Sequence, residues 1–427
     1  MPKLLVIADD LSGATDVGVQ FTKQGVPAFV IIRSEKRNSL PDLFRRFEVV
    51  VVNAESRHVA SDEARLAIRK LTEEARQAGV ELFYKKTDST LRGNVGAELD
   101  ALLKTSGFRT LCFVPAHPAL GRTTRDGVQF VHGVLLNESN YARDLRNPVR
   151  ESCVAALLGA DTDAPITLIH RNRLSEFSKN RPEGIVVFDA EAEMDVVAAA
   201  GAIGDAGRLN VLAGPAALAS CLPDLIPFTR ESADWLPLPQ KFLVVNGSLN
   251  EASLRQCAEA EKAGFRFVRM PTAALLSDGV SGEEARDAVA QEIRSLLRAH
   301  CDVVLGSVRE LFELNDFKRA GKRLLETETD WPDRIALNTG RILARIHSTP
   351  PYNTGNASPL TLVVIGGDTL AGVARANGWR ALLPRSELLR GLAVCEVADQ
   401  PDLVLISKPG GFGDNRVLAR MRESASA

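Results

Sequence analysis

Apolar residues in the first half of this chain come in short runs separated by polar or glycine-containing stretches. Runs of this kind lie at 4–8, 27–32, 49–53, 82–86, 110–115, 165–169, 185–189 and 211–214. Their length suits strands better than buried helices. Between several of them the period changes to that of a helix, most clearly over 61–77 and 93–103. Ser61, with Asp62 and Glu63 behind it, predicts a capped and dipole-matched helix start, and Gly79 predicts the stop. Strands alternating with helices predict a mostly parallel sheet covered on both faces. An exception is 127–136, where Val128, Phe130, Val134 and Leu135 flank His132-Gly133 and predict a hairpin.

The pattern breaks at 229–240, where Pro227, Pro237 and Pro239 space a polar segment, and restarts at Phe242-Leu243-Val244-Val245. Further strands are expected at 265–270, 303–306, 362–365 and 403–406, with helices over 282–299 and 332–346. The proline-rich stretch 348–359 is expected to be a loop. At 427 residues the chain is long for one core. The expectation is therefore an α/β protein of two Rossmann-like domains with mostly parallel sheets and a ligand cleft between them. The domains are placed at 1–228 and 241–427, joined by a linker at 229–240.

Composition narrows the function by exclusion. A net charge of −2 gives no electrostatic argument for nucleic acid or membrane, and the 5% of aromatic residues do not interleave with basic ones. Six cysteines stand singly, without a CxxC pair, and the histidines form no zinc-ligand spacing. The amino terminus reads as too short and too quickly acidic for a signal peptide, and no run approaches transmembrane length. A soluble cytoplasmic protein is expected, with a homodimer as the default assembly.

The densest chemistry is Lys85-Lys86-Thr87-Asp88-Ser89-Thr90-Leu91-Arg92-Gly93-Asn94, between a strand and a helix. It gathers amines, a carboxylate, hydroxyls and a guanidinium at one β-α connection, where α/β proteins handle ligands. A small, charged, polyhydroxylated ligand fits that set. Asp9-Asp10 follows the first strand in the same way. One of the two is expected to cap the next helix, while the pair together points to function. Glu55-Ser56-Arg57-His58 follows the third strand, and an arginine there can clamp a carboxylate or phosphate. The charged stretch 121–127 reads as a further loop, and His117 beside it as structural.

In the second half three glycine-rich turns follow apolar strands: Asn246-Gly247-Ser248, Gly366-Gly367-Asp368-Thr369 and Lys408-Pro409-Gly410-Gly411. Glycine admits close backbone approach, and a helix amino terminus offers free amides to phosphate. No GxGxxG or GxxxxGK[ST] pattern occurs, which argues against a dinucleotide fingerprint and a P-loop. Three such turns in one domain predict nucleotide binding.

Taken together, these motifs resemble those of the four-carbon acid sugar kinases. The resemblance rests on Ala8-Asp9-Asp10-Leu11-Ser12-Gly13-Ala14, Glu55-Ser56-Arg57, 86–94, Gly121-Arg122-Thr123-Thr124, Gly366-Gly367-Asp368-Thr369 and Gly410-Gly411-Phe412-Gly413. It spans nearly the whole chain, with Ser12, Thr87 and His117 as departures from the usual residues. It implies an ATP-dependent kinase that phosphorylates the terminal hydroxyl of a sugar acid. D-threonate leads, giving D-threonate 4-phosphate, with D-erythronate and 3-oxotetronate as alternatives. It places the acid sugar on Asp10, Arg57 and the 86–92 loop. It places ATP on Ser248, on Gly366, Gly367, Asp368 and Thr369, and on Gly410 or Gly411.

An aldonate needs a cation for its carboxylate, which Arg57 and Arg92 can supply. Its hydroxyls need partners such as Ser89, Thr90 and the carboxylates of Asp9, Asp10 or Asp88, with Lys86 beside them. Asp10 or Asp88 is the candidate base, and spacing does not choose between them. Mg2+ would bridge the ATP phosphates, with no protein ligand assigned. Two other readings compete: a nicotinamide-dependent oxidoreductase, which lacks its glycine fingerprint, and a non-catalytic sugar-acid sensor. No nucleic-acid or membrane partner is expected.

Overall fold

The alternating runs of the first half become strands. The computed structural model of the protein describes residues 2–32, 39–144, 146–232, 238, 241–248, 250–309, 311–322, 331–347 and 360–425. The chain divides into two compact units, Met1–Ala233 and Asp234–Ala427.

In the first unit the strands are β1 (Leu4–Ala8), β2 (Ala28–Ile31), β3 (Val49–Asn53), β4 (Leu82–Lys86), β5 (Thr110–Phe113), β6 (Arg122–Arg125), β7 (Val128–Val131), β8 (Val134–Leu135), β9 (Ile166–Ile169), β10 (Gly184–Phe188) and β11 (Val211–Gly214). Eight of them pair in the order β2-β3-β1-β4-β11-β5-β10-β9, every pair parallel. Such strands are buried on both faces, which is why β3 can be four consecutive valines, all inaccessible to solvent. One side of the sheet packs Leu5, Ile7, Val50, Val52 and Phe83 against Ile68, Leu71, Leu99 and Leu102 of two helices, Ser61–Gln77 and Val95–Ser106.

The chain runs from β1 outward through β2 to β3 on one side, then crosses to β4 on the other. Helices therefore leave β1 and β4 on a line where the order reverses, and that line opens a crevice at the carboxyl ends. Register puts Ala8 level with both Asn53 and Lys86, so the loops after β1, β3 and β4 begin side by side.

Two expectations for this unit need correction. Ser61 is the first helical residue and not the cap. Ala60 occupies the cap position without a side-chain bond, while the Ser61 hydroxyl donates to Asp161 at 3.0 Å. With Ser61 already inside the helix, its hydroxyl is released from capping and binds a carboxylate from outside the helix. The stop is as expected, with Gly79 at φ +77°. The stretch 121–127 is not a loop. Arg122–Arg125 is strand β6, antiparallel to β7, and β7 pairs with β8 as the predicted hairpin. Asp126-Gly127 and His132-Gly133 turn the two hairpins with positive φ at both positions, the backbone that matches strand twist.

In the second unit the strands are β12 (Phe242–Asn246), β13 (Arg266–Arg269), β14 (Val303–Gly306), β15 (Thr361–Ile365), β16 (Ala381–Leu389), β17 (Leu392–Val397) and β18 (Gln400–Lys408), in the order β13-β14-β12-β15-β18-β17-β16. The first five in that order are parallel and repeat the reversal, here between β12 and β15. Strands β16 to β18 form an antiparallel meander, of which the sequence pattern showed only 403–406. Pro384 and register shifts after it break the alternation that would have betrayed β16. The expected helices appear as Val280–Arg298 and Trp331–His347. Of the segment 229–240, positions 233–237 and 239–240 lie outside the described residues, as does the whole of 348–359. Among the described residues no helix is long and apolar enough to cross a membrane.

Candidate active site

At the reversal in the first unit, β1 delivers Asp9 and Asp10, β3 delivers Arg57, and β4 delivers Lys86 and the loop behind it. Asp10 is the cap of helix Leu11–Thr22, its Oδ1 accepting from the Gly13 amide at 2.8 Å and its Oδ2 from the Ser12 hydroxyl at 2.9 Å. Arg57 donates through Nε to Asp9 Oδ2 at 2.7 Å and through Nη1 to Asp10 Oδ2 at 2.8 Å. All three side chains are buried. A Cβ on Gly13 would lie 2.6 Å from Asp10 Oδ1 and 3.0 Å from Lys86 Nζ, so glycine is what leaves room for both groups. Of the two aspartates, Asp10 is thus the one that caps the helix.

The loop after β4 carries a second cluster. Arg92 donates through Nε to Asp88 Oδ2 at 2.7 Å and through Nη2 to Asp88 Oδ1 at 3.2 Å, and the Thr90 hydroxyl also binds Asp88. Leu91, at φ +54°, turns the chain so that Arg92 folds back onto Asp88. The Arg92 guanidinium also reaches Asp144 at 3.2 Å and lies 5.2 Å from the Tyr141 ring centroid. Ser89 is fixed through its backbone, its carbonyl accepting from the buried Gln129 amide at 3.1 Å. Gln129 sits on β7, so the hairpin braces this loop.

Electrostatics hold the cluster ionised. Burial pushes the Asp9 carboxyl up, but Arg57, Lys85 and Lys86 outweigh it and hold it below the usual carboxylate range. Burial acts the same way on Asp88, and Arg92 with Arg57 carry it well below. The two guanidiniums move up in return, against the pull of burial. Two buried polar atoms here have no hydrogen-bond partner, Asp9 Oδ1 and Thr87 Oγ1. Unsatisfied buried acceptors and hydroxyls are costly, and in a crevice they mark groups suited to a ligand's hydroxyls.

The structure brings Asp9, Asp10, Arg57 and Lys86 together and sets Asp88, Thr90 and Arg92 beside them. His117 pairs its backbone with Arg122. Sequence reasoning missed Glu98. It is buried on helix Val95–Ser106, 3.1 Å from Lys85 Nζ and hydrogen-bonded to the Ser56 hydroxyl. Burial raises its pKa, with Lys85 opposing and Asp9 adding to the rise. The signal was there, a carboxylate among Val95, Ala97, Leu99 and Leu102 on a helix with almost no exposed side.

In the second unit the three glycine turns converge at its own reversal. The Asn246 side chain accepts from the Ser248 amide at 3.1 Å. A Cβ on Gly247 would collide with Thr369, and one on Gly410 would lie 3.6 Å from Ser248 Oγ and 3.9 Å from Gly366 Cα. Gly366, at φ +99°, caps helix Gly367–Asn377, with Asp368 in the first turn. Behind them, helix Glu251–Lys262 fastens the third turn by its carbonyls. Ser253 donates to Gly410 O at 2.6 Å, and the buried Gln256 amide donates to Phe412, Gly413 and Asp414 at 2.9, 2.9 and 3.1 Å. Lys408 Nζ donates to Pro409 O at 3.0 Å and Gly410 O at 3.3 Å, and burial brings its pKa down to about 7. With their carbonyls held from behind, a backbone of this kind suits phosphate approach at a helix amino terminus.

Comparison with known proteins matches a family model to each half of the chain. Residues 4–222 match a sugar-binding N-terminal domain and residues 243–418 a nucleotide-binding C-terminal domain. A D-threonate kinase of Salmonella typhimurium is 31% identical, covering 97% of this chain and 96% of its own. The chain belongs to the four-carbon acid sugar kinases. A D-erythronate kinase of Heliobacterium modesticaldum is 29% identical over 88% of this chain and 86% of its own. A crystal structure from Salmonella typhimurium shares the fold, with a TM-score of 0.77 at 22% identity over 100% of this chain and 99% of that one. As a four-carbon acid sugar kinase the protein is a phosphotransferase.

Proposed function

We propose that the protein transfers the terminal phosphoryl group of ATP to the terminal hydroxyl of a four-carbon sugar acid, with D-threonate as the substrate. The observation that carries the reading is the pair of unsatisfied buried atoms, Asp9 Oδ1 and Thr87 Oγ1, within a cluster of ionised groups. A polyhydroxylated anion offers hydroxyls to both. The similarity to D-threonate kinases supports the choice of acid, and D-erythronate and 3-oxotetronate are its alternatives.

Both arginines expected to bind the substrate carboxylate are already paired with protein carboxylates. That leaves Arg57 to order Asp9 and Asp10, and Arg92 with Lys86 to meet the anion. The accepting hydroxyl must lose a proton, and a general base works best with a pKa near the operating pH. Both carboxylate oxygens of Asp88 are tied to the Arg92 guanidinium, which favours Asp10. Ser248, the Gly366–Thr369 turn and the Gly410-Gly411 turn would hold ATP, and Mg2+ bound with it would neutralise charge on the phosphates.

The test is ADP release with Mg-ATP across D- and L-threonate, D- and L-erythronate and their 3-oxo forms. Turnover is expected on D-threonate above the rest. Strong turnover on another member would move the substrate assignment, and none on any would remove the four-carbon assignment. Asp10→Asn should reduce turnover at least 100-fold, on the order expected for loss of a general base, with ATP affinity unchanged. Asp88→Asn retaining less turnover than Asp10→Asn would reverse the choice of base.

A further inference from the structure

A second constellation in the first unit lies outside the cluster described above. His170 follows the last residue of β9, Asp189 follows the last residue of β10, and those last residues, Ile169 and Phe188, are register partners. The two side chains therefore emerge together at the carboxyl edge of the sheet. Strands β4, β11 and β5 separate them from β1 and its aspartates. Asp126 reaches the same point from the turn between β6 and β7, its φ of +51° set by the hairpin.

His170 Nδ1 lies 3.1 Å from Asp189 Oδ2 and 3.3 Å from Asp126 Oδ1. All three donor atoms fall within 4.8 Å of one another. One ring nitrogen carries at most one proton, so Nδ1 cannot donate fully to both carboxylates at once. A divalent cation satisfies all three donors and removes the repulsion between the two carboxylates. Ligands about 2.0–2.2 Å from such an ion stand roughly 3–4 Å apart, and the imidazole nitrogen stands at that spacing from both carboxylates. Asp189 is also oriented as metal ligands are. Its Oδ1 accepts from the Gly127 amide at 2.9 Å and its Oδ2 from the Asp126 amide at 3.0 Å.

Burial falls off across the set, with Asp189 at 3% exposure, His170 half-buried and Asp126 exposed. One side of the constellation is closed by protein. The other opens on a cavity of about 790 Å³ that is also lined by Arg125, Arg171 and Arg173. One imidazole nitrogen and two carboxylate oxygens suit a borderline transition cation better than Mg2+, which prefers oxygen alone. The guanidiniums of the cavity are paired with carboxylates, Arg125 and Arg171 with Glu191 and Arg173 with Glu176, which leaves water to complete the coordination.

We propose that Asp126, His170 and Asp189 bind one divalent first-row transition cation, Zn2+ in the first instance, at a site separate from the kinase centre. The test is calorimetric titration of the chelator-treated full-length protein with ZnCl2, in the absence of nucleotide and sugar acid. Wild type should bind one equivalent more than His170→Ala and one more than Asp126→Asn. All three proteins carry the same six cysteines, so zinc held by thiols cancels in the difference. Asp126 is exposed and its backbone amide survives the substitution, so that variant keeps the fold even if His170→Ala does not. Zn2+ should also raise the Tm of wild type more than that of Asp126→Asn. Equal stoichiometry in wild type and Asp126→Asn, with equal Tm shifts, would overturn the proposal.

Discussion

Lys408 offers a sharp test of how burial acts in the nucleotide-binding unit. Its ammonium is fully buried, with Pro409 and Gly410 carbonyls in reach, and its pKa falls from 10.5 to about 7. The folded-state value lies below the unfolded one. Between pH 7 and 10.5 the unfolded chain therefore binds the extra proton, and stability rises with pH. Integrated from pH 7 to pH 9, that linkage is worth about 2 kcal/mol in favour of the folded state at the higher pH. Cys257 packs nearby, and burial pushes its thiol up to about 12. Thiols that ionise only on unfolding pull the other way above about pH 8.5, but equally in a variant that keeps them. The perturbation is Lys408→Met, which removes the titration and keeps most of the volume. The assay is urea unfolding followed by tryptophan fluorescence, since Trp331 and Trp379 are buried in this unit. Wild type should gain about 2 kcal/mol more than the variant between pH 7 and 9. Lost hydrogen bonds shift the variant's curve at every pH and drop out of the comparison. Parallel pH dependences in the two proteins would refute the burial argument.

Other consequences follow from single contacts. Gln256→Leu releases the carbonyls of Phe412, Gly413 and Asp414. The amide's two protons make at most two full hydrogen bonds at about 1 kcal/mol each, so the KM for ATP should rise by up to roughly 30-fold while that for the acid sugar stays, as steady-state kinetics will show. Arg57→Met leaves Asp9 and Asp10 buried without their cation, and circular dichroism with denaturant should find about 3–5 kcal/mol of lost stability. A milder loss would mean that Lys85 and Lys86 carry more of the neutralisation.

The sequence by itself determined the α/β alternation, because strands buried on both faces must be short apolar runs and covering helices must repeat at 3.6 residues. β1, β3, β4, β11 and the helix Ser61–Gln77 fall where the pattern put them. It also singled out the candidate site residues, since polar groups crowded at a strand's carboxyl end have few structural reasons to be there. It could not show the antiparallel meander of β16 to β18, whose bulges spoil the period of two. Nor could it show that Arg122–Arg125 is a strand, because polar β-residues on a small hairpin read like a loop.

The tertiary structure alone decided which charges meet. Arg57 lies 47 and 48 residues from its two aspartates. Asp126, His170 and Asp189 come from three separate segments, and Gln256 meets its carbonyls across more than 150 residues. Spacing along a chain carries no information about such pairs. They are fixed by strand order and register, which reverse the direction of winding at β1/β4 and at β12/β15, and so bring distant loops to one edge.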